Sequence, residues 1–236
     1  MIELARAMIL AAGRGERMRP LTDVTPKPLL EAGGKPLVVW QIEALARAGF
    51  RDIAINAAHL ADRLIDALGD GDAYGVRLHW SREAEPLETA GGVATASELL
   101  APGPVLIVSA DIYTRFDYAS LAPRIAAMRE ARAPRVHLVM VANPAYHPRG
   151  DFALDGERVT DDDRKARLTF GNIGVYDSAL FRELPRGVKL KMLPLYRDWI
   201  RAGLVSGERY DGAWFNVGTP ADLAALRAAL DARRTS

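Results

Sequence analysis

The chain has 236 residues, 49% of them hydrophobic, no cysteine, and a formal net charge of +1. This length and apolar content suit one α/β domain with a sizeable core and exclude a disordered chain. The balanced charge argues against a nucleic-acid binder, the missing cysteine excludes disulfides and thiolate metal sites, and no apolar run approaches the ~18 residues of a membrane span.

In chain order, residues 7–11 form an apolar run of strand length that stops at a loop of small residues, Ala12-Gly13-Arg14-Gly15. Leu37, Ile42, Leu45 and Ala46 mark a helical face ended by Gly49. Residues 52–56 read as a strand, 61–68 as a helix, 76–81 as a strand and 92–100 as a helix. Residues 104–109 contain Val105-Leu106-Ile107-Val108, a run suited to a strand buried on both faces. A helix over 118–132 and a strand over 136–142 follow. This alternation predicts an α/β fold with a mostly parallel sheet covered by helices, ligands lying beyond the carboxyl ends of the strands. The second half is less regular. Residues 151–154 and 169–176 read as antiparallel strands, 178–183 and 192–202 as helices, 213–216 as a short strand, and 220–233 as a helix opened by Pro220. Residues 143–149 and 155–167 read as loops, with Asp161-Asp162-Asp163 a solvated turn, and His59, His79, His137 and His147 show no metal-ligand spacing. No repeat or linker interrupts the chain, so one domain over 1–236 is expected. Residues 1–5 lack the basic start of a signal peptide, which points to the cytoplasm.

The chemistry gathers at the first loop. Backbone N–H groups at a glycine-rich turn can cradle an anion, and Arg14, Arg17, Arg19 and Lys27 add positive charge within one short segment. Together they suggest a polyphosphate site. The glycine spacing does not fit a P-loop, and Met18 stands where the dinucleotide fingerprint needs its third glycine. Asp111 lies just past the buried strand, where a carboxylate is costly unless solvated or paired with a cation.

The segment from Leu10 to Pro28 resembles the phosphate loop of the sugar-1-phosphate nucleotidyltransferases. Their pattern is Leu-Ala-Ala/Gly-Gly-x-Gly-x-Arg-Met/Leu, then x-Pro-Leu-Thr and Pro-Lys-Pro, and every fixed position is present. The resemblance implies a three-layer α/β/α Rossmann-like fold with a mixed, mostly parallel sheet. It divides the chain into a nucleotide-binding half, 1–115, and a sugar-binding half, 116–236. The reaction it implies is attack of a sugar-1-phosphate oxygen on the α-phosphorus of a nucleoside triphosphate, with loss of pyrophosphate.

By the same resemblance, Arg17 grips the β- and γ-phosphates and Lys27 lies by the α-phosphate. Asp111 holds Mg²⁺, and the second metal position falls on Asn216, where the family usually carries Asp. Base recognition is expected from Leu10, Ala11, Ala12, Gly13 and Gly15 and from Glu83, Glu88 and Gly91. Glu83 accepts hydrogen bonds only, which suits the imide N–H of uracil or thymine and the N–H donors of guanine, and adenine's lone exocyclic amine less well. Gly150, Asp151, Asn172, Gly174 and Lys191 are nominated for the sugar, with Lys165 a second candidate for its phosphate.

Leu87-Glu88-Thr89-Ala90-Gly91-Gly92 and Arg149-Gly150-Asp151-Phe152 are similar to the branch that uridylylates N-acetylmuramate-1-phosphate from UTP in cell-wall recycling. Other pairings, such as dTTP with glucose-1-phosphate, GTP with mannose- or heptose-1-phosphate, and CTP with a phospho-alcohol, stay open, as does a non-catalytic nucleotide-sugar regulator. No C-terminal acyltransferase solenoid is expected, and no apolar seam calls for an obligate oligomer, so a monomer is expected.

Overall fold

The computed structural model describes residues 6–133 and 135–234, so the N-terminal segment read as lacking a signal peptide lies outside it. The first half runs β1 (Ala7–Leu10), α1 (Leu21–Val24), β2 (Glu31–Ala32), β3 (Lys35–Pro36), α2 (Leu37–Arg47), β4 (Asp52–Ala57), α3 (Ala61–Leu68), β5 (Arg77–Arg82), α4 (Glu88–Ala96), β6 (Pro104–Ser109) and β7 (Ile112–Thr114). There follow α5 (Ala122–Glu130), β8 (Val136–Val141), β9 (Phe152–Asp155), β10 (Arg158–Thr160), β11 (Arg167–Asp177), α6 (Ala179–Arg182), α7 (Met192–Arg201), β12 (Val205–Tyr210), β13 (Trp214–Asn216) and α8 (Pro220–Arg234).

Nine strands form one sheet in the order β5-β4-β1-β6-β11-β8-β12-β10-β9. Side-chain alternation divides its faces. Ile9, Ile53, Ile55, Leu106 and Val108 enter one core with Val38, Ile42 and Leu45 of α2 and Leu64 and Leu68 of α3. Met8, Ala54, Val105 and Ile107 enter another with Val93 of α4, Phe181 of α6, and Tyr196 and Trp199 of α7. Strands whose neighbouring residues all find apolar partners must be buried on both faces, which is what the uninterrupted runs required. A third, smaller cluster joins Met18, Leu30 and Leu37 to Leu223, Leu226 and Leu230 of α8.

The sheet is mixed, and less parallel than expected. Four of its strand pairs run parallel, β1–β4, β1–β6, β4–β5 and β8–β12. Five run antiparallel, all of them involving β9, β10 or β11. The reason is local. A parallel pair needs a crossover of a dozen or more residues, usually helical, and no helix lies between β8 and β11. The chain therefore turns back on itself there, and β11 enters between β6 and β8 in the reverse sense.

Candidate active site

The parallel strands β1, β4, β5 and β6 end at the same edge of the sheet, where a cleft of about 900 Å³ opens. Its walls come from the loop after β1, from Asn56 of β4, from Glu83 just past β5, and from Asp111 just past β6. Lys189 and Gly218 close it from the second half of the chain.

The loop after β1 is held from below. Ala11 N–H donates to Asn56 Oδ1 at 2.8 Å, and Asn56 Nδ2 donates to Glu83 Oε1 at 2.7 Å. Leu87 N–H donates to the other oxygen of Glu83 at 3.0 Å. Glu83 is 6% exposed, and burial pushes its carboxyl pKa up while the Asn56 and Leu87 hydrogen bonds oppose the rise. A carboxylate has about four lone-pair positions, so acceptor capacity remains after these two bonds. Leu10, Ala12, Gly13, Gly15 and Glu88 line the same cleft. Gly15 has φ 64°, a left-handed conformation that suits glycine, and a Cβ there would stand 2.9 Å from Thr22 Cγ2.

Arg17 and Met18 occupy one 3₁₀ turn, Glu16–Met18, and point opposite ways. Met18 is fully buried in the α8 cluster, whereas Arg17 is exposed to the cleft. The Arg17 guanidinium lies 3.3 Å from where a Cβ on Gly218 would stand, so a side chain there would make the arginine shift by a few tenths of an ångström. Beyond Gly218, Asp222 caps α8: its Oδ2 accepts from Gly218 N–H at 3.1 Å, Thr219 N–H at 2.8 Å and Thr219 Oγ1 at 2.8 Å. Thr219 Oγ1 in turn accepts from Asp222 N–H at 3.2 Å, a reciprocal helix start.

Lys27 follows Pro26 in a second 3₁₀ turn, Lys27–Leu29, and is 9% exposed. Its Nζ is hydrogen-bonded and ion-paired to Asp111 Oδ2. Asp111 is therefore the cation-paired carboxylate that its position demanded. The antiparallel pair β7–β13 sets Asn216 opposite Ile112, and Val217 N–H donates to Asp111 O at 2.9 Å. Asn216 and Asp111 are thus neighbours along the backbone ladder. Asn216 Nδ2 donates to the Tyr146 hydroxyl at 3.2 Å. Burial raises the Tyr146 pKa, Asn216 and Arg17 oppose the rise, and Asp222 and Asp111 add to it, so the phenol is neutral. Tyr146 was hidden inside a stretch read only as loop, and Asn56 inside a strand. Asp222 was visible as Thr-x-x-Asp before a helix.

Asp111 and Asn216 offer hard oxygen donors, and among the described residues no group of three or more His, Cys, Asp or Glu could hold a metal unaided. That donor set fits Mg²⁺, which is commonly held by one or two carboxylates and completed by water and substrate phosphates.

Other nominated residues take packing positions. Gly91 is buried outside the cleft lining, where a Cβ would meet Val188 O at 2.2 Å, and its N–H bonds to Leu190 O at 3.2 Å. A Cβ on Gly174 would strike the Tyr176 ring at 2.7 Å, and one on Gly150 would meet Asn143 Oδ1 at 2.7 Å. At both positions the missing Cβ leaves room for neighbouring protein atoms. Asp151 spends both oxygens internally, Oδ2 accepting from Phe170 N–H at 2.8 Å and Oδ1 lying 3.1 Å from His147 Nε2. Asn172 sits at φ 56° within the irregularity of β11 between Phe170 and Gly174. Lys191 is exposed at the N-cap of α7, and Lys165 is paired with Asp155 at 2.9 Å.

The chain belongs to the nucleotidyl transferase family, whose profile matches residues 6–149. It is 45% identical to the N-acetylmuramate alpha-1-phosphate uridylyltransferase of Neisseria meningitidis serogroup B, over 91% of this chain and 93% of that protein. It is 30% identical to a mannose-1-phosphate guanyltransferase of Schizosaccharomyces pombe, over 92% of this chain and 62% of that protein. Among solved structures, one assigned as a glucose-1-phosphate thymidylyltransferase from Bacillus anthracis, in complex with sucrose, superposes with a TM-score of 0.83 over 95% of this chain and 94% of that one. At 18% identity, that likeness speaks for the fold alone.

Proposed function

We propose that this protein transfers a uridylyl group from UTP to N-acetylmuramate-1-phosphate, releasing UDP-N-acetylmuramate and pyrophosphate. The observation that carries this reading is the buried Lys27 paired to Asp111 at the foot of a cleft that Arg17 also faces. Phosphoryl-type transfer asks chiefly for positioning and charge neutralisation, and this arrangement offers both. The nature of the sugar and base is taken from the 45% identical relative.

In this mechanism the loop from Ala11 to Arg17 receives the triphosphate. Arg17 holds the β- and γ-phosphates bidentately, as a planar guanidinium does well. Lys27 leaves Asp111 for the α-phosphate, where its compact charge meets the negative charge that builds as the sugar-phosphate oxygen bonds to phosphorus. The bond to the bridging oxygen breaks and its electron pair leaves with pyrophosphate. Asp111 and Asn216 would hold Mg²⁺, which supplies further charge neutralisation at the phosphates when bound. Glu83, fixed by Asn56 and Leu87, accepts the imide N–H of uracil, and Glu88 borders the same pocket. The sugar half, 116–236, brings Lys191 and the Asn172 bend to the acceptor, while Asp151 acts indirectly by bracing its loop. We assign one domain over 1–236, a monomer, and a cytoplasmic place in cell-wall recycling. In keeping with this, no helix among the described residues is long and apolar enough to cross a membrane.

The test is pyrophosphate release under Mg²⁺ for UTP, dTTP, GTP and CTP, each against the 1-phosphates of N-acetylmuramate, N-acetylglucosamine, glucose and mannose. The expected peak is UTP with N-acetylmuramate-1-phosphate. A peak elsewhere overturns the substrate assignment and keeps the reaction class, whereas no release from any pair overturns both. Asp111→Ala should abolish turnover with little loss of stability, and near-normal turnover would remove Asp111 from the chemistry.

A further inference from the structure

Helix α1 is only four residues long, and it follows the arginine loop closely. Of its side chains Thr22 alone is buried, while Leu21 and Val24 are 41% and 60% exposed, so the core holds it at one point. That point bears on the loop. Thr22 Oγ1 donates to Gly15 O at 2.8 Å. The same carbonyl accepts from Met18 N–H at 2.8 Å, the bond that closes the 3₁₀ turn carrying Arg17. The direction in which Arg17 leaves the backbone therefore depends on where Thr22 sits.

Thr22 is held in turn from the loop between β4 and α3. His59 Nε2 lies 2.8 Å from Thr22 O. A carbonyl oxygen can only accept, so Nε2 carries the proton and the bond has a single sense. Arg63 of α3 donates to Val24 O and holds the far end of α1. Beside His59, Leu60 takes φ 52°, a left-handed conformation that an L-residue adopts only when its surroundings impose it. His59 itself is not part of the cleft lining.

We propose that His59 is a positioning residue for the β- and γ-phosphates. It acts at a distance, through Thr22 and the Gly15 carbonyl, by fixing the turn from which Arg17 reaches the cleft. This rests on the triphosphate reading given above. A grip on phosphate is only as exact as the backbone beneath it, and here that backbone is tied to the neighbouring strand–helix loop by bonds whose acceptors are all carbonyls.

The experiment is the reverse reaction, UTP formation from UDP-N-acetylmuramate and pyrophosphate. It is run on wild type, His59→Ala, His59→Gln, Thr22→Val and the double variant His59→Ala/Thr22→Val, with thermal midpoints to confirm folding. His59→Ala should raise the KM for pyrophosphate by about fivefold, the scale of one lost hydrogen bond, and change the KM for UDP-N-acetylmuramate by less than about twofold. His59→Gln, whose amide can donate to the same carbonyl, should return the pyrophosphate KM to within about twofold of wild type. Once Thr22→Val has removed the hydroxyl, His59→Ala should cost less than about a further twofold. An unchanged pyrophosphate KM, an equal rise in both KM values, no recovery with Gln, or the same loss in both Thr22 backgrounds overturns the positioning role. Failure of the wild type to form UTP overturns the reading on which this inference rests.

Discussion

Lys27 and Asp111 neutralise each other across the cleft floor, with side-chain exposures of 11% and 30%. Replacing Lys27 by Met should lower kcat by about 10²–10³-fold, the usual scale for removing a group that meets transition-state charge, while the fold stays intact by circular dichroism. An unchanged kcat would take Lys27 out of the reaction. Glu88 poses a different question. Its φ is 62°, a left-handed conformation that costs an L-residue about 1–2 kcal/mol and glycine nothing. Glu88→Gly should therefore raise stability by roughly 0.5–1 kcal/mol once the extra unfolded-state entropy of glycine is deducted, as read from the urea midpoint. If the carboxylate contributes to base binding, the KM for UTP should rise in the same variant; greater stability with unchanged KM would leave Glu88 only its strain. At this scale the sequence was informative where a charge stood in the glycine loop or just past a strand: Arg17 and Lys27 of the loop after β1, and Glu83 and Asp111 past β5 and β6, all line the cleft. It was silent on Tyr146, because a loop tyrosine becomes meaningful only through the contact it makes.

Parallel strands β8 and β12 set His137 beside Ser206, with His137 Nδ1 2.9 Å from Ser206 Oγ. His137 is 1% exposed and its Nε2 has no hydrogen-bond partner among the described residues. Burial lowers its pKa from 6.5 to about 4, the nearby Arg124 adding to the fall and Glu157 opposing it. The fold therefore favours the neutral ring. Its stabilising effect is fully present above pH 6.5 and is lost as pH falls towards 4, in total roughly 3 kcal/mol. His137→Gln should flatten the decline of the urea midpoint between those pH values; a slope like the wild type's would assign the acid loss to other groups. Helix α8 depends in turn on its Thr219–Asp222 start. Asp222→Ala should cost about 1 kcal/mol, as loss of such caps does, and should weaken pyrophosphate binding because Gly218, beside Arg17, loses its tether. Elements with strong periodicity were legible in the sequence: β6 and α3 begin and end where their patterns do. Helix α4 starts four residues before the predicted 92, since the free N–H groups of Ala90 and Gly91 are satisfied by Leu190 O, nearly a hundred residues on. Strand β12, with Ser206 and Glu208 alternating, and the two- and three-residue strands β2, β3, β7 and β10 gave too little pattern to read.

Over the whole molecule, the two large cores share one sheet, so neither can be lost without exposing the other's strands. Phe181→Ala, outside the cleft lining and fully buried, should cost about 3–5 kcal/mol and lower the midpoint of a single transition seen alike by circular dichroism and tryptophan fluorescence. Two separated transitions would show that the halves fold independently and would contradict the assignment of one domain. The mixed sense of the sheet was not legible in the sequence, because pairing direction follows from which strands meet and not from the strands themselves. The cluster that seats Met18 among Leu223, Leu226 and Leu230 carries a consequence for synthesis. Met18 is made long before those leucines, so the arginine loop can pack on Leu30 and Leu37 early but completes its seat only once α8 has been made. A full grip on phosphate is therefore among the last properties the growing chain acquires.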